Sequence, residues 1–353
     1  MRKDKSVLSV LLAFLILLSG CLSHNRTLSK FCVVEENLEG LVPVHQLSFS
    51  VSGKYLAVNQ FQEKGFTLYE CIENKFLMVG QLIDKQYSNI VWSPDYDSLF
   101  AATHNSGVDI FLLKPLTLIG TIPSTRKHPP IINWGDESES LYVSEALGTT
   151  DTTDLLFKEY LLADMKQIDE KYDEREHWGG VVNICPNPMN PKEFLLQDLG
   201  GFYFMDDASI NRLPMDISTI SYSRMGWVDG ETSFVLFLKS LTSEEGSLVS
   251  EPMLRLYKGA DAVSDYALPD EYSWDSSILT ESFYSYEEKT LVLLIDNQNV
   301  LLLNIEKGLP KVQDSIRLPE SVDLWRITNW PGSGFLVAYS TDDMIFIPVN
   351  QQQ

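Results

Sequence analysis

The chain has 353 residues, of which 44% are hydrophobic and 11% aromatic, so it is long enough to bury a full core. Its 49 acidic residues outnumber its 27 basic residues and give a formal net charge of -22. This charge argues against nucleic-acid phosphates and anionic lipid headgroups as partners, because an acidic surface repels both.

The first predicted element is an export signal that is removed from the mature chain. A basic start at residues 1–5 precedes an apolar run at residues 7–18, which only Ser9 interrupts. The run is too short for a permanent membrane span, which needs about 20 apolar residues. A basic start followed by a short apolar run is typical of a signal peptide. We therefore assign residues 1–20 to a signal peptide.

The export signal ends in the tetrapeptide Leu18-Ser19-Gly20-Cys21. This tetrapeptide resembles the lipobox of bacterial lipoproteins, in which a branched apolar residue and two small residues precede an obligate cysteine. The resemblance implies cleavage between Gly20 and Cys21 and lipidation of Cys21, with acyl chains such as palmitate. Several acyl chains anchor a protein firmly, because each buried methylene contributes roughly 0.8 kcal/mol. An ordinary secretory peptide with a chance cysteine is the alternative.

The location expected from this resemblance is the bacterial cell envelope, with the membrane contacted through the N-terminal lipid. Residues 21–30 are predicted to form a short polar tether between the lipid and the fold. Leu22 rather than an aspartate follows Cys21, which in a Gram-negative cell fits the outer membrane or its periplasmic side. The sequence leaves the type of envelope open.

From residue 46 onward, one pattern occurs seven times. A bulky anchor residue ends a short strand, a polar turn follows, and a second apolar strand begins. The anchors are separated by 43, 42, 51, 42, 57 and 46 residues. They are Phe49, Trp92, Trp134, Cys185, Trp227, Tyr284 and Trp330. In five copies the second strand begins seven residues after the anchor, which indicates a structural repeat.

Each copy is followed by a third and usually a fourth short run that is rich in β-branched and aromatic residues. No stretch of the mature chain shows a long helical period. Four antiparallel strands at this spacing are typical of a propeller blade. The sequence therefore predicts an all-β fold over residues 31–350, a seven-bladed β-propeller of four-stranded antiparallel blades. Six or eight blades are alternatives, because the fourth copy, at residues 182–196, is degenerate.

The seventh copy is one strand short, because only one strand-like run, at residues 344–349, follows its first two strands. The run FCVVE at residues 31–35 precedes the first copy and has no blade of its own. Free sheet edges invite aggregation. We therefore predict that residues 31–35 form the outer strand of the last blade and close the ring. An incomplete last blade preceded by an unstructured leader is the alternative.

Two segments indicate a family resemblance, FSVSGKYLAV at residues 49–58 and Trp92-Ser93-Pro94-Asp95. They match the most recognisable part of WD-repeat (WD40-like) propellers, and the chain over residues 31–349 resembles a divergent member of that group. It departs from the family pattern because no Trp-Asp pair ends a third strand. The one such pair, Trp274-Asp275, lies between two predicted blades. The resemblance implies an architecture rather than an activity.

The sequence contains no catalytic or metal-binding motif. No two of the five histidines lie two to four residues apart, and the one cysteine at such a distance from a histidine is Cys21, the predicted lipidation residue, so the spacing of a zinc site is missing. Nucleophile elbows, phosphate-binding glycine loops and His-Glu-x-x-His motifs are also missing. We therefore predict no cofactor and no metal. Among the cysteines of the mature fold, a Cys32–Cys71 disulfide and free thiols are alternatives.

Two insertions are the candidate binding loops of the predicted ring. The acidic run at residues 169–178 accounts for the 51-residue spacing and ends in His177 and Trp178. The second insertion occupies residues 240–251, and Trp274 is the least regular of the tryptophans. Loops on a rigid scaffold often hold binding residues, although a solvated loop is the plain alternative. The predicted function is a non-catalytic binding or scaffolding module for a protein, peptide or glycan partner.

A propeller hydrolase of the lactonase type is the alternative function. Its active site would be assembled from several blades at the mouth of the central channel, and such a site leaves no local motif. The residues at predicted strand starts that favour this hypothesis are His45, His128 and Glu281.

Overall fold

The computed structural model describes residues 44–60, 65–72, 75–124, 129–148, 153–173, 183–198, 200–207, 209–216, 220–242, 248–268, 279–285, 290–295, 299–306, 309–318, 326–340 and 344–348. Within these ranges the chain forms 27 strands and one short 3-10 turn, Asp136–Ser138. No helix in the described part of the chain is long and apolar enough to cross a bilayer.

The strands form seven antiparallel sheets, here called blades 1 to 7, and in each blade every strand pairs with the next one along the chain. Blade 1 contains β1 (Val44–Phe49), β2 (Tyr55–Gln60), β3 (Phe66–Ile72) and β4 (Lys75–Leu82). Blade 2 contains β5 (Tyr87–Trp92), β6 (Leu99–His104), β7 (Gly107–Leu112) and β8 (Thr117–Pro123). Blade 3 contains β9 (Ile131–Trp134), β10 (Ser140–Gly148), β11 (Thr153–Leu161) and β12 (Lys166–Asp173).

The second half of the chain continues the same arrangement. Blade 4 contains β13 (Asn183–Pro186), β14 (Phe194–Asp198), β15 (Gly201–Met205) and β16 (Ile210–Arg212). Blade 5 contains β17 (Ile220–Trp227), β18 (Thr232–Thr242), β19 (Leu248–Lys258) and β20 (Asp261–Ala267). Blade 6 contains β21 (Leu279–Ser285), β22 (Thr290–Ile295), β23 (Asn299–Glu306) and β24 (Leu309–Arg317). Blade 7 contains β25 (Arg326–Trp330), β26 (Phe335–Tyr339) and β27 (Met344–Pro348).

The blades form a seven-bladed β-propeller, as the sequence predicts. The degenerate fourth copy forms blade 4, which decides between seven blades and the alternatives of six or eight. Blade 7 has three strands among the described residues. The predicted closing strand at residues 31–35 lies outside the described residues, so its pairing with β27 stays a prediction.

Apolar clusters join every neighbouring pair of blades. Each of the seven clusters found among the described residues combines side chains of two adjacent blades. The cluster between blades 7 and 1 includes Leu56 and Val58 on one side and Val337 and Phe346 on the other. The ring is therefore closed by packing between its first and last blades.

Four of the tryptophan anchors form hydrogen bonds between blades. Each indole Nε1 donates to a backbone carbonyl of an adjacent blade, at 2.9 to 3.2 Å. The pairs are Trp92 with Ser48, Trp134 with Val91, Trp227 with Cys185, and Trp330 with Gly53. The first three bonds point to the preceding blade, whereas Trp330 of blade 7 points forward to the first turn of blade 1. These tryptophans are therefore packing residues between blades.

Two predictions from the sequence are corrected by the structure. The acidic insertion begins as a strand, because residues 169–173 belong to β12. Most of the second insertion is also strand, since β18 and β19 extend the hairpin as far as the Thr242–Leu248 pair. Cys71 and Cys185 are free thiols, the second of the two alternatives that the sequence left open, and Cys32 lies outside the described residues.

Candidate functional site

The ring has two distinct ends, because its blades all have the same orientation. Ser52 Oγ donates to Asp97 Oδ2 at 2.5 Å, which joins the first turns of blades 1 and 2. Asn187 Nδ2 donates to the Gly230 carbonyl at 3.0 Å, which joins the first turns of blades 4 and 5. We call the end with these first turns the lower end. At the opposite, upper end lie the connections between blades and the turns between second and third strands.

The predicted binding loops are connected to the upper end. The connection with His177 and Trp178 follows Asp173 at the end of β12 and precedes Asn183 at the start of β13. The connection with Trp274 lies between the end of β20 and the start of β21, at the same end. The hairpin of β18 and β19, with eleven residues in each strand, also extends there. His177, Trp178 and Trp274 themselves lie outside the described residues.

The three residues that favour a hydrolase are described only in part. The backbone of His45 belongs to β1 and that of Glu281 to β21, both near the upper end. Their side chains and all of His128 lie outside the described part of the chain. The described residues contain no group of three or more His, Cys, Asp or Glu side chains that is arranged to hold a metal ion. Burial raises the pKa of the Cys71 and Cys185 thiols to about 12, so both are uncharged at neutral pH.

A buried polar cluster lies at the upper end of blade 2 and was not found from the sequence. Its centre is Asp109 in β7, which is fully buried. The carboxylate accepts hydrogen bonds from Lys85 Nζ at 2.6 Å, Tyr87 Oη at 2.9 Å and Thr121 Oγ1 at 2.8 Å. His104 Nε2 lies 3.5 Å from the same carboxylate. The feature of the sequence that could have indicated this cluster is the aspartate within the otherwise apolar run VDIFLL of the third strand.

The electrostatics of this cluster indicate a structural role. Burial alone would raise the pKa of Asp109, but hydrogen bonds from Lys85, Thr121 and Tyr87 outweigh it and lower the pKa below its usual value. The same environment raises the pKa of the Tyr87 hydroxyl, because the buried phenolate would face the Asp109 carboxylate. Through the Asp109 carboxylate, the cluster therefore joins all four strands of blade 2 to the connection from blade 1.

A cleft with a volume of about 420 Å³ lies between blades 3 and 4. On blade 3, the strand register places Tyr142, Glu159 and Asp169 side by side on three neighbouring strands. On blade 4, Phe194 and Met205 are paired neighbours in β14 and β15. Lys158, Lys192 and acidic residues complete the lining, which comprises Tyr142, Phe157, Lys158, Glu159, Asp169, Glu170, Lys192, Phe194, Met205, Asp206 and Asp207.

The cleft exists because the two blades differ in size. Blade 3 has strands of nine, nine and eight residues in β10, β11 and β12, whereas β14, β15 and β16 have five, five and three. The short outer strands of blade 4 leave part of blade 3 uncovered. Accordingly, the apolar cluster between these blades is the smallest of the seven found among the described residues.

Large exposed apolar side chains of the described residues gather in the lower half of the ring. Of thirteen such residues, only Ile83 lies at the upper end. The other twelve are Val51, Ile72, Leu77, Met78, Tyr96, Leu112, Leu118, Ile119, Leu161, Ile168, Met189 and Val263. The described part of the lower end therefore has several exposed apolar side chains.

The comparisons with known proteins give a fold and no family. No protein-family model matches the sequence, and no curated protein matches it. Among solved structures 853 chains match, so the fold is widely shared. One of them is Kuenenia stuttgartiensis hydrazine synthase, with a TM-score of 0.63 and 13% sequence identity. The match covers 87% of this chain and 96% of that one. At this identity the likeness concerns the propeller fold alone.

Proposed function

We propose that this protein is an envelope-anchored binding module, held by acyl chains on Cys21, that presents the upper end of its propeller to a protein, peptide or glycan. The observation that supports this proposal best is the position of the insertions. The connections with Trp178 and Trp274 and the long hairpin of β18 and β19 all belong to one end of a rigid ring. Binding residues on loops held by a rigid scaffold are a common arrangement.

The predicted closure gives the ring a direction relative to the membrane. The fourth strand of a blade runs from the lower to the upper end, as β4, β8 and β12 do. If residues 31–35 form such a strand in blade 7, residue 31 starts at the lower end and the tether leaves from there. A tether of ten residues spans at most about 35 Å. The lower end, with its exposed apolar side chains, then faces the membrane, and the upper end faces away from it.

The anchor is tested by metabolic labelling with a palmitate analogue in a bacterial host. We expect the wild-type chain to take up the label and to sediment with membranes, and Cys21→Ser to do neither, because the acceptor thiol is lost. Labelling of Cys21→Ser, or its unchanged membrane sedimentation, would refute the anchor.

The binding role is tested by affinity capture from envelope extracts with the purified ring. We expect Trp178→Ala, or removal of residues 243–247, to abolish capture of a partner that the wild type retains. Met189→Ala is the matched control, because Met189 is 67% exposed at the lower end. Capture that survives both changes at the upper end would contradict the assignment. Turnover of a lactone or ester by the purified ring would favour the hydrolase instead.

A further inference from the structure

We propose that the cleft between blades 3 and 4 binds an organic cation, an ammonium or guanidinium group on an alkyl stem. The group would come from a lysine or arginine side chain of a peptide, or from a free polyamine. This site is separate from the upper end, so the proposal does not depend on the function proposed above.

The cleft has an excess of negative charge that its own lysines do not neutralise. Five carboxylates and two lysines line it, a formal excess of three negative charges. Lys192 Nζ lies 3.6 Å from Asp207 Oδ2, so the charges of these two residues neutralise each other. Lys158 Nζ lies 3.5 Å from Glu145, which is not part of the cleft. Among the described residues, no lysine or arginine lies within ion-pair distance of Glu159, Asp169 or Glu170.

Two of these carboxylates are direct cross-strand neighbours. Glu159 in β11 is the register partner of Asp169 in the outer strand β12. Like charges at directly opposite positions destabilise a sheet. Among the described residues, the half-buried Glu159 makes no side-chain hydrogen bond, and Asp169 accepts one hydrogen bond, from the backbone N–H of Glu170. A cation between them would turn this repulsion into two attractions.

The apolar part of the cleft selects the kind of cation. Phe157 and Phe194 approach from opposite blades, with ring centroids 4.8 Å apart, and Met205 lies beside them. These three side chains are buried against each other and form an apolar floor, on which the methylene stem of an alkyl ammonium or guanidinium group can lie. A small hydrated divalent ion gains nothing from such a surface, because it prefers oxygen ligands on all sides. A volume of about 420 Å³ fits the range of small-molecule sites.

The proposal is tested by titrating the purified ring with a short peptide that contains two arginines, with spermidine and with Mg²⁺, by calorimetry. The variant Glu159→Gln with Asp169→Asn removes two charges and retains the side-chain shapes. We expect it to weaken binding of the organic cations about tenfold, the size expected for two partly exposed ion pairs. The control Glu231→Gln with Asp261→Asn removes the same charge from blade 5 and should leave the affinity unchanged.

The outcomes separate the alternatives. Tighter binding of the peptide indicates a partner chain as the source of the cation, and tighter binding of spermidine indicates a free polyamine. Equal weakening in the cleft variant and in the blade 5 control would refute the site, because it would show diffuse attraction to an acidic surface. Competition by Mg²⁺ at the same concentration as spermidine, or no binding of either organic cation, would also refute it.

Discussion

Two glycines of the ring have a left-handed backbone in very different surroundings. Gly53, in the first turn of blade 1, has φ +74°, and a Cβ there would lie 2.1 Å from the Pro331 carbonyl of blade 7. Its own carbonyl accepts the Trp330 indole N–H at 2.9 Å. Gly259 has φ +58°, but nothing lies within 4 Å of the position of its Cβ. The contact between blades 1 and 7 therefore requires a glycine at Gly53. At Gly259 only the left-handed conformation of the local turn favours glycine.

This difference predicts unequal costs for the same substitution. Gly259→Ala should lower the free energy of unfolding by about 1 kcal/mol, the cost of a left-handed alanine. Gly53→Ala should cost at least about 3 kcal/mol, because a backbone carbonyl of another blade must also move. Chemical denaturation of both variants measures the difference. Equal costs would show that Gly53 does not limit the contact between blades 1 and 7.

The buried carboxylate of Asp109 should also contribute to stability. Asp109→Asn removes the buried charge that faces Lys85 and should cost about 3 kcal/mol at neutral pH. Asp265→Asn is the control, because Asp265 is a partly exposed partner of Arg255 and such pairs contribute about 1 kcal/mol or less. If both variants lost a similar amount of unfolding free energy, burial would not strengthen the contribution of the Asp109 charge.

The pH dependence of the Asp109 contribution follows from its lowered pKa. A carboxyl whose pKa is lower in the folded state stabilises the fold above its unfolded pKa of about 3.9. That stabilisation is lost as the pH falls toward the folded pKa. The difference between the wild type and Asp109→Asn should therefore shrink below about pH 4. Denaturation at several pH values measures it, and a difference that grows on acidification would refute this account.

At the scale of elements, the first strands of the blades are held together by their terminal tryptophans. Trp134 joins blades 2 and 3 mainly through one hydrogen bond and the surrounding aliphatic cluster. Trp330 also meets the rings of Phe49, Phe76 and Phe346, with centroids 5.4 to 5.7 Å away. The same anchor position therefore has a larger aromatic environment where the ring closes.

Replacing each of these tryptophans by phenylalanine should separate the two environments. Both variants lose one hydrogen bond, with a cost of about 1 kcal/mol, and some buried area. Trp330→Phe should cost at least about 1 kcal/mol more than Trp134→Phe, because the smaller ring contacts its three aromatic neighbours less fully, and aromatic contacts contribute beyond their buried area. The free energies of unfolding test this, and a larger cost at Trp134 would contradict it.

At the scale of the whole molecule, the ring is closed by side-chain packing, and its sheet edge at β27 still has no partner among the described residues. Residues 31–35 are predicted to supply that partner. A mature chain without residues 22–40 should lose about 3 to 6 kcal/mol, the contribution of two buried apolar side chains. The backbone amides of β27 should then exchange faster with solvent.

A chain without residues 22–30 is the matched control for this truncation, because it loses the tether and keeps the predicted strand. Its stability and the exchange of the β27 amides should equal those of the full mature chain. If both truncations have the same effect, or neither has any, residues 31–35 do not complete blade 7.

The outer strands show where sequence reading fails and why. The inner and middle strands alternate or are largely apolar and wholly buried, as in β6, so their pattern and the spacing of the anchors predict the blades. By contrast, β12 has the sequence KQIDEKYD and is mostly exposed on both faces, so it reads as a solvated loop. A strand that buries little apolar surface leaves little hydrophobic period to detect.

The sequence by itself determined the repeat and the order of the strands within a blade, and it favoured seven blades over six or eight, because these depend on local hydrophobic patterns and on spacing along the chain. Only the tertiary structure decided which side chains meet between blades. Phe157 and Phe194 are 37 residues apart, and Glu159 faces Asp169 only through the register of β11 and β12. The cleft depends on unequal blade sizes, and the Asp109 cluster depends on side chains from several strands of blade 2 and the connection before it. These contacts leave no periodic signal, because they join positions that are brought together by packing between blades or by the register of paired strands.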